Sequence, residues 1–199
     1  IQPHTKNAII GPTGAGKSLI LSLLSGLIQP TEGKILIDNI PLNEWDPKYI
    51  FKTMGLVFQE SILFNSSLTD NIMFNQKVSD KELHKALDTA NVSEIIQSLP
   101  DGMNTQISER GTNLSGGQKQ RIMLARALVR SPKILLLDDF TARVDMKTEK
   151  EIIASLFYNY PHITLVSITQ KIDPIQDFEQ IIVIMEGELL ATGTHKQLL

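Results

Sequence analysis

The stretch GPTGAGKS, at residues 11–18, limits the folds open to this chain more than any other feature. It follows the short apolar run NAII (7–10) and precedes the apolar stretch LILSLLSGL (19–27), so the order is strand, glycine-rich turn and helix. Glycines let the backbone N–H groups of such a turn point inward around an anion, and the following helix adds positive charge at its first turn. The pattern predicts a phosphate-binding loop at the end of a buried strand.

Two side chains in this loop have the chemistry that a bound nucleotide needs. Lys17 supplies a cation for the β- and γ-phosphates, and the hydroxyl of Ser18 is a ligand for Mg²⁺. The predicted nucleotide-binding residues in this part of the chain are Gly11, Pro12, Thr13, Gly14, Ala15, Gly16, Lys17, Ser18 and Leu19.

A pair of carboxylates follows a second apolar run, in the stretch ILLLDDFTARVD at 134–145. Successive side chains of a strand point to opposite faces, so Asp138 and Asp139 cannot share one solvent-facing surface. At the end of a strand Asp138 can hold Mg²⁺ against the phosphates of a nucleotide. Asp139 follows it, where a general base or a water-orienting group is needed.

Short apolar runs at both ends of the chain predict an α/β fold. Most of these runs are apolar on both faces, which is typical of strands covered by helices on both sides of a parallel sheet. The predicted strands are 7–10, 33–38, 54–58, 133–138, 163–168 and 180–185.

The middle of the chain shows helical spacing and no convincing strand. One predicted helix covers 79–99, beginning with a capping signal at Ser79 and Glu82, and another covers 116–131. We therefore predict a mostly parallel α/β sheet interrupted by an α-helical subdomain, and the phosphate-loop motif makes this core resemble that of P-loop NTPases (RecA-like). The predicted core is 1–60 and 131–199, and the predicted helical subdomain is 61–130.

Composition and charge exclude several classes of function. The net charge is −3 and no block of basic residues is longer than a pair, so the electrostatic footprint of a nucleic-acid-binding protein is missing. The chain has no cysteine, which excludes disulfides and thiolate chemistry. Its four histidines are scattered, and no apolar run approaches the roughly 20 residues that span a bilayer. We expect no nucleic-acid partner and no zinc site.

The sequence LSGGQ at 114–118 marks a second candidate anion site. Ser115 can cap the helix that follows, and Gly116 and Gly117 leave the first N–H groups of that helix accessible. Taken alone, a simple helix N-cap also explains the pattern. The predicted nucleotide-binding residues here are Ser115, Gly116, Gly117 and Gln118.

Together these motifs resemble the nucleotide-binding domain of ATP-binding cassette (ABC) transporters over essentially the whole chain. GPTGAGKS is similar to the Walker A motif of that family, LSGGQ to its signature, and ILLLDD to its Walker B motif. Gln59 resembles the Q-loop glutamine and Asp145 the D-loop aspartate. The resemblance implies ATP and Mg²⁺ as cofactors. The implied metal ligands are Ser18, Gln59 and Asp138.

The resemblance extends to exporter-type members of the family. The segments 60–74 and 107–117, the latter with Glu109 and Arg110, are similar to segments of exporters in which an upstream membrane domain is fused to the ATP-binding domain. The helical subdomain would then contact that membrane domain. The family also implies a head-to-tail dimer, in which each ATP lies between the phosphate loop of one chain and the LSGGQ of the other.

Several positions depart from the pattern of an active family member. Asp139 stands in place of a glutamate and Gln170 in place of a histidine, while Phe140 and Ala142 replace the usual Pro and Ser. Aspartate is shorter by one C–C bond, about 1.5 Å, and a misplacement near 1 Å can cost about a hundredfold in rate. Gln170 can hydrogen-bond to a phosphate but cannot carry a proton. We predict catalytic roles for Gln59, Asp139 and Gln170 in a site that holds ATP longer than it cleaves it.

The leading interpretation is one subunit of a heterodimeric exporter at the cytoplasmic face of a cell membrane, with the bacterial inner membrane favoured. A homodimeric exporter ATPase with slow hydrolysis at both sites and a non-hydrolysing ATP-sensing regulator are the alternatives. A soluble ABC ATPase of the DNA-repair or translation type would need a coiled-coil insertion or a second cassette, and a more basic surface. The chain begins in mid-pattern, so the membrane domain and the aromatic residue that stacks on adenine are expected upstream of residue 1.

Overall fold

The computed structural model describes residues 1–60, 62–74 and 76–199, and the side chain of Arg110 lies outside that description. The chain divides into two compact units. The first contains Ile1–Leu56, Lys133–Asp139 and Thr164–Leu199, and the second contains Val57–Pro132 and Phe140–Ile163.

The described chain contains both strands and helices, with three consecutive helices in its middle part. The strands are β1 Lys6–Ile10, β2 Leu36–Ile37, β3 Ile40–Pro41, β4 Met54–Val57, β5 Ser66–Ser67, β6 Gln106–Ile107, β7 Ile134–Asp138, β8 Thr164–Ile168, β9 Gln180–Met185 and β10 Glu188–Gly193. The helices are α1 Lys17–Leu24, α2 Pro47–Thr53, α3 Leu68–Met73, α4 Asp80–Thr89, α5 Ser93–Ser98, α6 Gly116–Leu128, α7 Met146–Asn159 and α8 His195–Leu198. Short 3₁₀ turns cover Leu42–Glu44, Gly102–Asn104, Glu109–Gly111 and Asp173–Ile175.

The main sheet has six strands in the order β10-β9-β1-β8-β7-β4. Pairs β1/β8, β1/β9 and β7/β8 are parallel, and β10 runs antiparallel to β9 at the edge. The prediction of an α/β fold with a mostly parallel sheet is confirmed. Because the strands are parallel, the residues that follow β1, β8 and β7 all leave the same edge of the sheet.

Double-sided burial explains why these strands are apolar throughout. All five residues of β8 are buried, as are the last four of β7. Their side chains share one core cluster with the phosphate-binding segment and its helix. The buried members of that cluster are Ile9, Ala15, Leu21, Leu136, Val166, Ile168 and Ile184. Burial of each large aliphatic side chain contributes about 1.5–3 kcal/mol, so the loop at 11–16 starts from a firmly packed strand.

The predicted strand at 33–38 is much shorter in the structure and does not join the main sheet. Only Leu36 and Ile37 are extended, and they pair with Ile40 and Pro41 in a separate two-stranded hairpin. Asp38 and Asn39 form its two-residue turn with φ of 51° and 64°. Two consecutive positive φ values are typical of a type I′ turn, which matches the twist of a hairpin.

The second unit differs from its prediction in two details. It contains a two-residue ladder between β5 and β6, although the sequence showed no convincing strand there. The predicted helix at 79–99 is two helices, α4 and α5. The expected capping box of Ser79 and Glu82 is present at the start of α4.

Asn91 separates those two helices. It adopts φ 53°, and its N–H donates to the carbonyl of Asp88 at 3.1 Å while the N–H of Val92 donates to Leu87 at 2.9 Å. This pattern is a Schellman cap with asparagine at the left-handed position. The asparagine followed by an apolar residue is therefore a local sequence signal for the end of α4.

The second unit also extends beyond the predicted helical subdomain. It begins at Val57 and includes 140–163, which contains α7. Asn159 on α7 donates from Nδ2 to the hydroxyl of Thr89 at 2.9 Å, and Lys85 lies 3.9 Å above the ring centre of Tyr160. Ser61, where the predicted subdomain starts, lies outside the described residues, and the predicted boundaries stay a prediction.

Candidate functional site

The phosphate-loop segment forms the expected turn between β1 and α1. Gly16 is the N-cap of α1 with φ 90°, and Gly14 has φ 84°, both in the left-handed region that favours glycine. A side chain at Gly11 would meet the carbonyl oxygen of Ile184, in β9, at 2.0 Å. The loop therefore depends on glycine both for backbone conformation and for close approach to the neighbouring strand.

Lys17 is held inside this loop. Its side chain is buried, and Nζ donates to the carbonyl oxygens of Gly11 at 2.9 Å and Pro12 at 2.8 Å. The ammonium group is thus already within the turn that the sequence assigns to phosphates. Pro12, Thr13, Ser18 and Leu19 are exposed, and Ala15 is buried in the core cluster.

The carboxylate pair lies at the same sheet edge, in the first unit. Asp138 is level with Ile168 of β8, which in turn is level with Ile9 of β1. Asp138 is 5% exposed, and within the part of the chain that the structure describes its carboxylate makes no hydrogen bond or ion pair. A carboxylate without a protein partner at this sheet edge is the kind of oxygen ligand that Mg²⁺ uses, so the position favours a bound cation.

Asp139 and Gln170 follow the ends of β7 and β8. The N–H of Asp139 donates to the carbonyl of Ile168 at 2.9 Å, and the residue has φ 45°. Few residues other than glycine tolerate this region, and aspartate and asparagine are enriched there. Gln170 is exposed and follows the buried Thr169. The structure therefore places Asp139 and Gln170, two of the three predicted catalytic residues, at the edge that carries the phosphate loop, whereas Gln59 belongs to the second unit.

The signature motif lies at the start of α6, in the second unit. Ser115 is the N-cap: its hydroxyl accepts the N–H of Gln118 at 3.2 Å, and Oε1 of Gln118 accepts the N–H of Ser115 at 2.8 Å. Within the described residues, the N–H groups of Gly116 and Gly117 donate to no protein acceptor. Those two N–H groups are the ones that an anion could use.

Two other motif residues are also in the second unit. Gln59 follows β4 and is exposed. Asp145 caps α7, since its Oδ1 accepts the N–H of Thr148 at 3.0 Å. This bond holds the pKa of the Asp145 carboxyl below its usual range. A helix-capping role is therefore visible for the residue that resembles the D-loop aspartate.

A partly buried polar network in the second unit was not predicted from the sequence. Arg126 donates to the carbonyls of Asn71 at 2.6 Å and Ile62 at 3.0 Å, and to Oδ1 of Asn71 at 2.9 Å. Its guanidinium lies 5.2 Å from the ring centre of Phe64 and 5.9 Å from that of Phe74. Burial lowers the pKa of Arg126 to about 10, so it stays charged at neutral pH. An arginine within the apolar run MLARALV was the available signal.

Two kinds of feature are absent from the described residues. No group of three or more acidic, histidine or cysteine side chains is arranged to hold a metal ion. No helix of that part of the chain has the length and apolar character needed to cross a bilayer. Mg²⁺ does not require such a group of ligands, because it is commonly held by one or two carboxylates together with substrate phosphates.

Comparisons with known proteins show which family this chain is similar to. A family model described as "ABC transporter" matches residues 1–142. The uncharacterized ABC transporter ATP-binding protein YfiB of Bacillus subtilis is 41% identical over the whole chain, which spans 34% of that protein. The mitochondrial potassium channel ATP-binding subunit of Xenopus tropicalis is 37% identical over 99% of the chain, which spans 29% of it.

A solved structure agrees with these relatives. The structure of a bacterial Atm1-family ABC exporter with ATP bound superimposes with a TM-score of 0.95 at 38% identity, covering all of this chain and 35% of the exporter chain. The chain thus spans about a third of the length of the proteins it matches here. With the family model covering more than half of its residues, the chain belongs to the ABC transporter family as an ATP-binding domain of the exporter type.

Proposed function

We propose that this chain is the ATP-binding and ATP-hydrolysing part of an exporter, acting at the cytoplasmic face of a cell membrane, with the bacterial inner membrane favoured. A membrane domain would be fused upstream and would select the cargo. The named relatives, each about three times as long as this chain, support this arrangement. The observation that carries the proposal is the single sheet edge at which the phosphate loop, Asp138 and Gln170 meet.

The residues present fit a magnesium ion together with nucleotide phosphates. Asp138 offers a carboxylate that has no partner among the described residues, and Ser18 offers a hydroxyl at the first turn of α1. Gln59 is the third proposed ligand, through its side-chain oxygen. When bound, the ion neutralises charge on the phosphates as the terminal phosphoryl group is transferred to water. Lys17 contributes the second positive charge, since its ammonium group already lies in the loop.

We propose that the ATP site formed by this chain's own phosphate loop hydrolyses ATP slowly. Asp139 would orient the attacking water, and Gln170 would donate a hydrogen bond to the γ-phosphate. The Asp139 carboxylate ends about 1.5 Å closer to its backbone than a glutamate would. A misplacement of about 1 Å can lower the rate about a hundredfold, which is close to 3 kcal/mol. Binding is not affected in the same way, because Lys17, Ser18 and Asp138 remain in place.

The signature of the chain is proposed to serve a second ATP-binding domain. The N–H groups of Gly116 and Gly117 would face the ATP held by the phosphate loop of that partner, in a head-to-tail dimer. An intact signature beside a weakened hydrolytic site favours a partner of different sequence. ATP then links the two domains, because a ligand shared by both chains stabilises the closed dimer.

A surface for the membrane domain is proposed on the second unit. Ile62, Phe64 and Phe74 are 57%, 46% and 54% exposed, which is unusual for side chains of this size. The hydrogen bonds from Arg126 to Asn71 and Ile62 hold this apolar patch, formed by Ile62, Phe64 and Phe74, in place. An ordered, exposed apolar patch suits docking of a helix from another domain.

The proposal is tested by titrating the chain with Mg-ATP in a calorimeter. Lys17→Ala removes the side-chain cation that lies in the phosphate loop, so the affinity should fall by at least about a hundredfold. Lys196→Ala removes the same charge from exposed helix α8 and should leave the affinity unchanged. ATP affinity that is unaffected by Lys17→Ala would refute the phosphate-loop assignment.

A further inference from the structure

Gln120, in the second turn of α6, is buried but only half satisfied. It is 1% exposed, and its Oε1 accepts the N–H of Arg143 at 3.3 Å. Within the described residues its Nε2 has no acceptor. A methionine of similar size would fill the same space and bury no unpaired donor. Packing alone does not explain a glutamine at this position. The hydrogen bond that Gln120 accepts from Arg143 does explain it.

The first turn of α6 fits around Arg143 in two further places. A side chain at Gly116 would meet Cδ of Arg143 at 2.6 Å, and one at Gly117 would meet its carbonyl oxygen at 2.7 Å. Arg143 is exposed, but its N–H is hydrogen-bonded to Gln120 of α6, and its carbonyl and side chain lie close to the first turn of that helix. The N–H of Val144 donates to Thr141 at 3.1 Å, which keeps the loop around Arg143 compact.

We propose that Gln120 is a positioning residue that fastens the loop at 140–145 to the signature helix. The inference rests on the proposed function, in which Asp139 acts on the ATP of this chain and the signature acts on the ATP of the partner. The loop begins directly after Asp139, which acts on the ATP of this chain. If the loop is fixed to α6, the backbone at Asp139 is linked to the signature, which acts on the ATP of the partner. Gln120 sets the rate of turnover without touching a nucleotide.

The test compares Gln120→Met with the wild-type full-length dimer. Hydrogen exchange at 141–145 should be about tenfold faster, because the N–H of Arg143 loses its acceptor. ATP turnover should fall about tenfold with KM changed by less than about twofold, as expected for a misplaced group. The Tm should be unchanged or higher, because an unpaired buried donor has been removed. Gln97→Met, on the exposed face of α5, is the matched control and should change none of these quantities.

Two results would overturn the inference. One is exchange at 141–145 that equals the wild-type rate, which would mean that Gln120 does not hold the loop. The other is a Tm that falls together with turnover, which would make Gln120 a purely structural residue. Lys17→Ala is measured in parallel. Loss of ATP binding in Lys17→Ala with no effect of Gln120→Met removes only this inference, whereas unchanged ATP binding in Lys17→Ala removes the proposed function.

Discussion

The phosphate loop of the first unit and the signature turn of the second both place glycines beside an expected phosphate, but in different surroundings. At Gly14 and Gly16 the backbone is left-handed, and an added Cβ would meet nothing within 4 Å. At Gly116 and Gly117 an added Cβ would meet Arg143 at 2.6 and 2.7 Å. Gly14 and Gly16 of the first loop are required for backbone conformation, and Gly116 and Gly117 of the second are required for space.

This difference determines how each loop responds to a side chain. At Gly14 or Gly16 of the phosphate loop, a methyl group adds backbone strain but pushes on no neighbour. In the signature turn, it pushes on the loop that follows Asp139 and so acts at a distance. Substituting glycines that look alike in sequence should therefore impair the two loops for different physical reasons. The following substitutions distinguish backbone strain from steric contact.

The largest effect is expected from Gly117→Ala. Its Cβ would lie 2.7 Å from a backbone oxygen, so either α6 or the loop must move by several tenths of an ångström. We expect the turnover of the full-length dimer to fall by up to about a hundredfold, with about 1–3 kcal/mol lost in stability. Turnover and urea unfolding measure the two quantities.

Gly116→Ala provides the matched comparison. Its Cβ would meet only the flexible side chain of Arg143, so the loss should be smaller and Arg143→Ala should restore it. The same second substitution should not rescue Gly117→Ala, because the carbonyl oxygen remains. Equal rescue of both variants would show that the backbone contact at Gly117 is unimportant.

A smaller effect is expected from Gly14→Ala in the phosphate loop. The left-handed conformation costs a non-glycine residue about 1–2 kcal/mol, and no clash adds to it. Gly187 has the same φ of 84° and equally open surroundings, so Gly187→Ala should lose the same stability without affecting ATP binding. Urea unfolding without nucleotide measures both variants. A loss above about 3 kcal/mol in Gly14→Ala would mean that the loop is crowded after all.

The smallest effect concerns alkaline pH and lies in the second unit. Burial raises the pKa of the Tyr160 hydroxyl, and the charge of Glu82 raises it further. Because the folded pKa exceeds the unfolded value of about 10, the contribution of this group is complete below pH 10 and is lost above it, by up to about 1.4 kcal/mol per pH unit. Tyr160→Phe should flatten the decline of the unfolding free energy between pH 9 and 11. Tyr158→Phe, at an 87% exposed residue, should not.

The phosphate loop, the main strands and the capping boxes were predictable because each depends on residues close together in sequence. The run ILLLD is apolar because β7 is covered on both faces, and Ser79 and Ser115 cap their helices with partners three residues away. These signals are local, and the structure confirms the turn between β1 and α1, the strand β7 and the helix caps.

Contacts between distant segments could not be predicted in this way. Arg126 and Asn71 are 55 residues apart, and Gln120 and Arg143 are 23 apart, so neither pair has a sequence signature. Glycine is required at position 117 because of a similar long-range contact, with the carbonyl oxygen of Arg143. The division of the predicted helix at Asn91 is a different case, since its cap is local and was overlooked.

The central claim, that the signature of this chain serves the main hydrolytic site while its own site turns over slowly, is tested by comparing two variants. Ser115→Arg places bulk and a competing cation on the signature, and Asp139→Ala removes the proposed water-orienting carboxylate. We expect Ser115→Arg nearly to abolish the ATP turnover of the reconstituted full-length pair, and Asp139→Ala to reduce it by less than about twofold. If Asp139→Ala costs as much as Ser115→Arg, the own site of the chain is a principal hydrolytic site and the homodimeric exporter replaces the heterodimer.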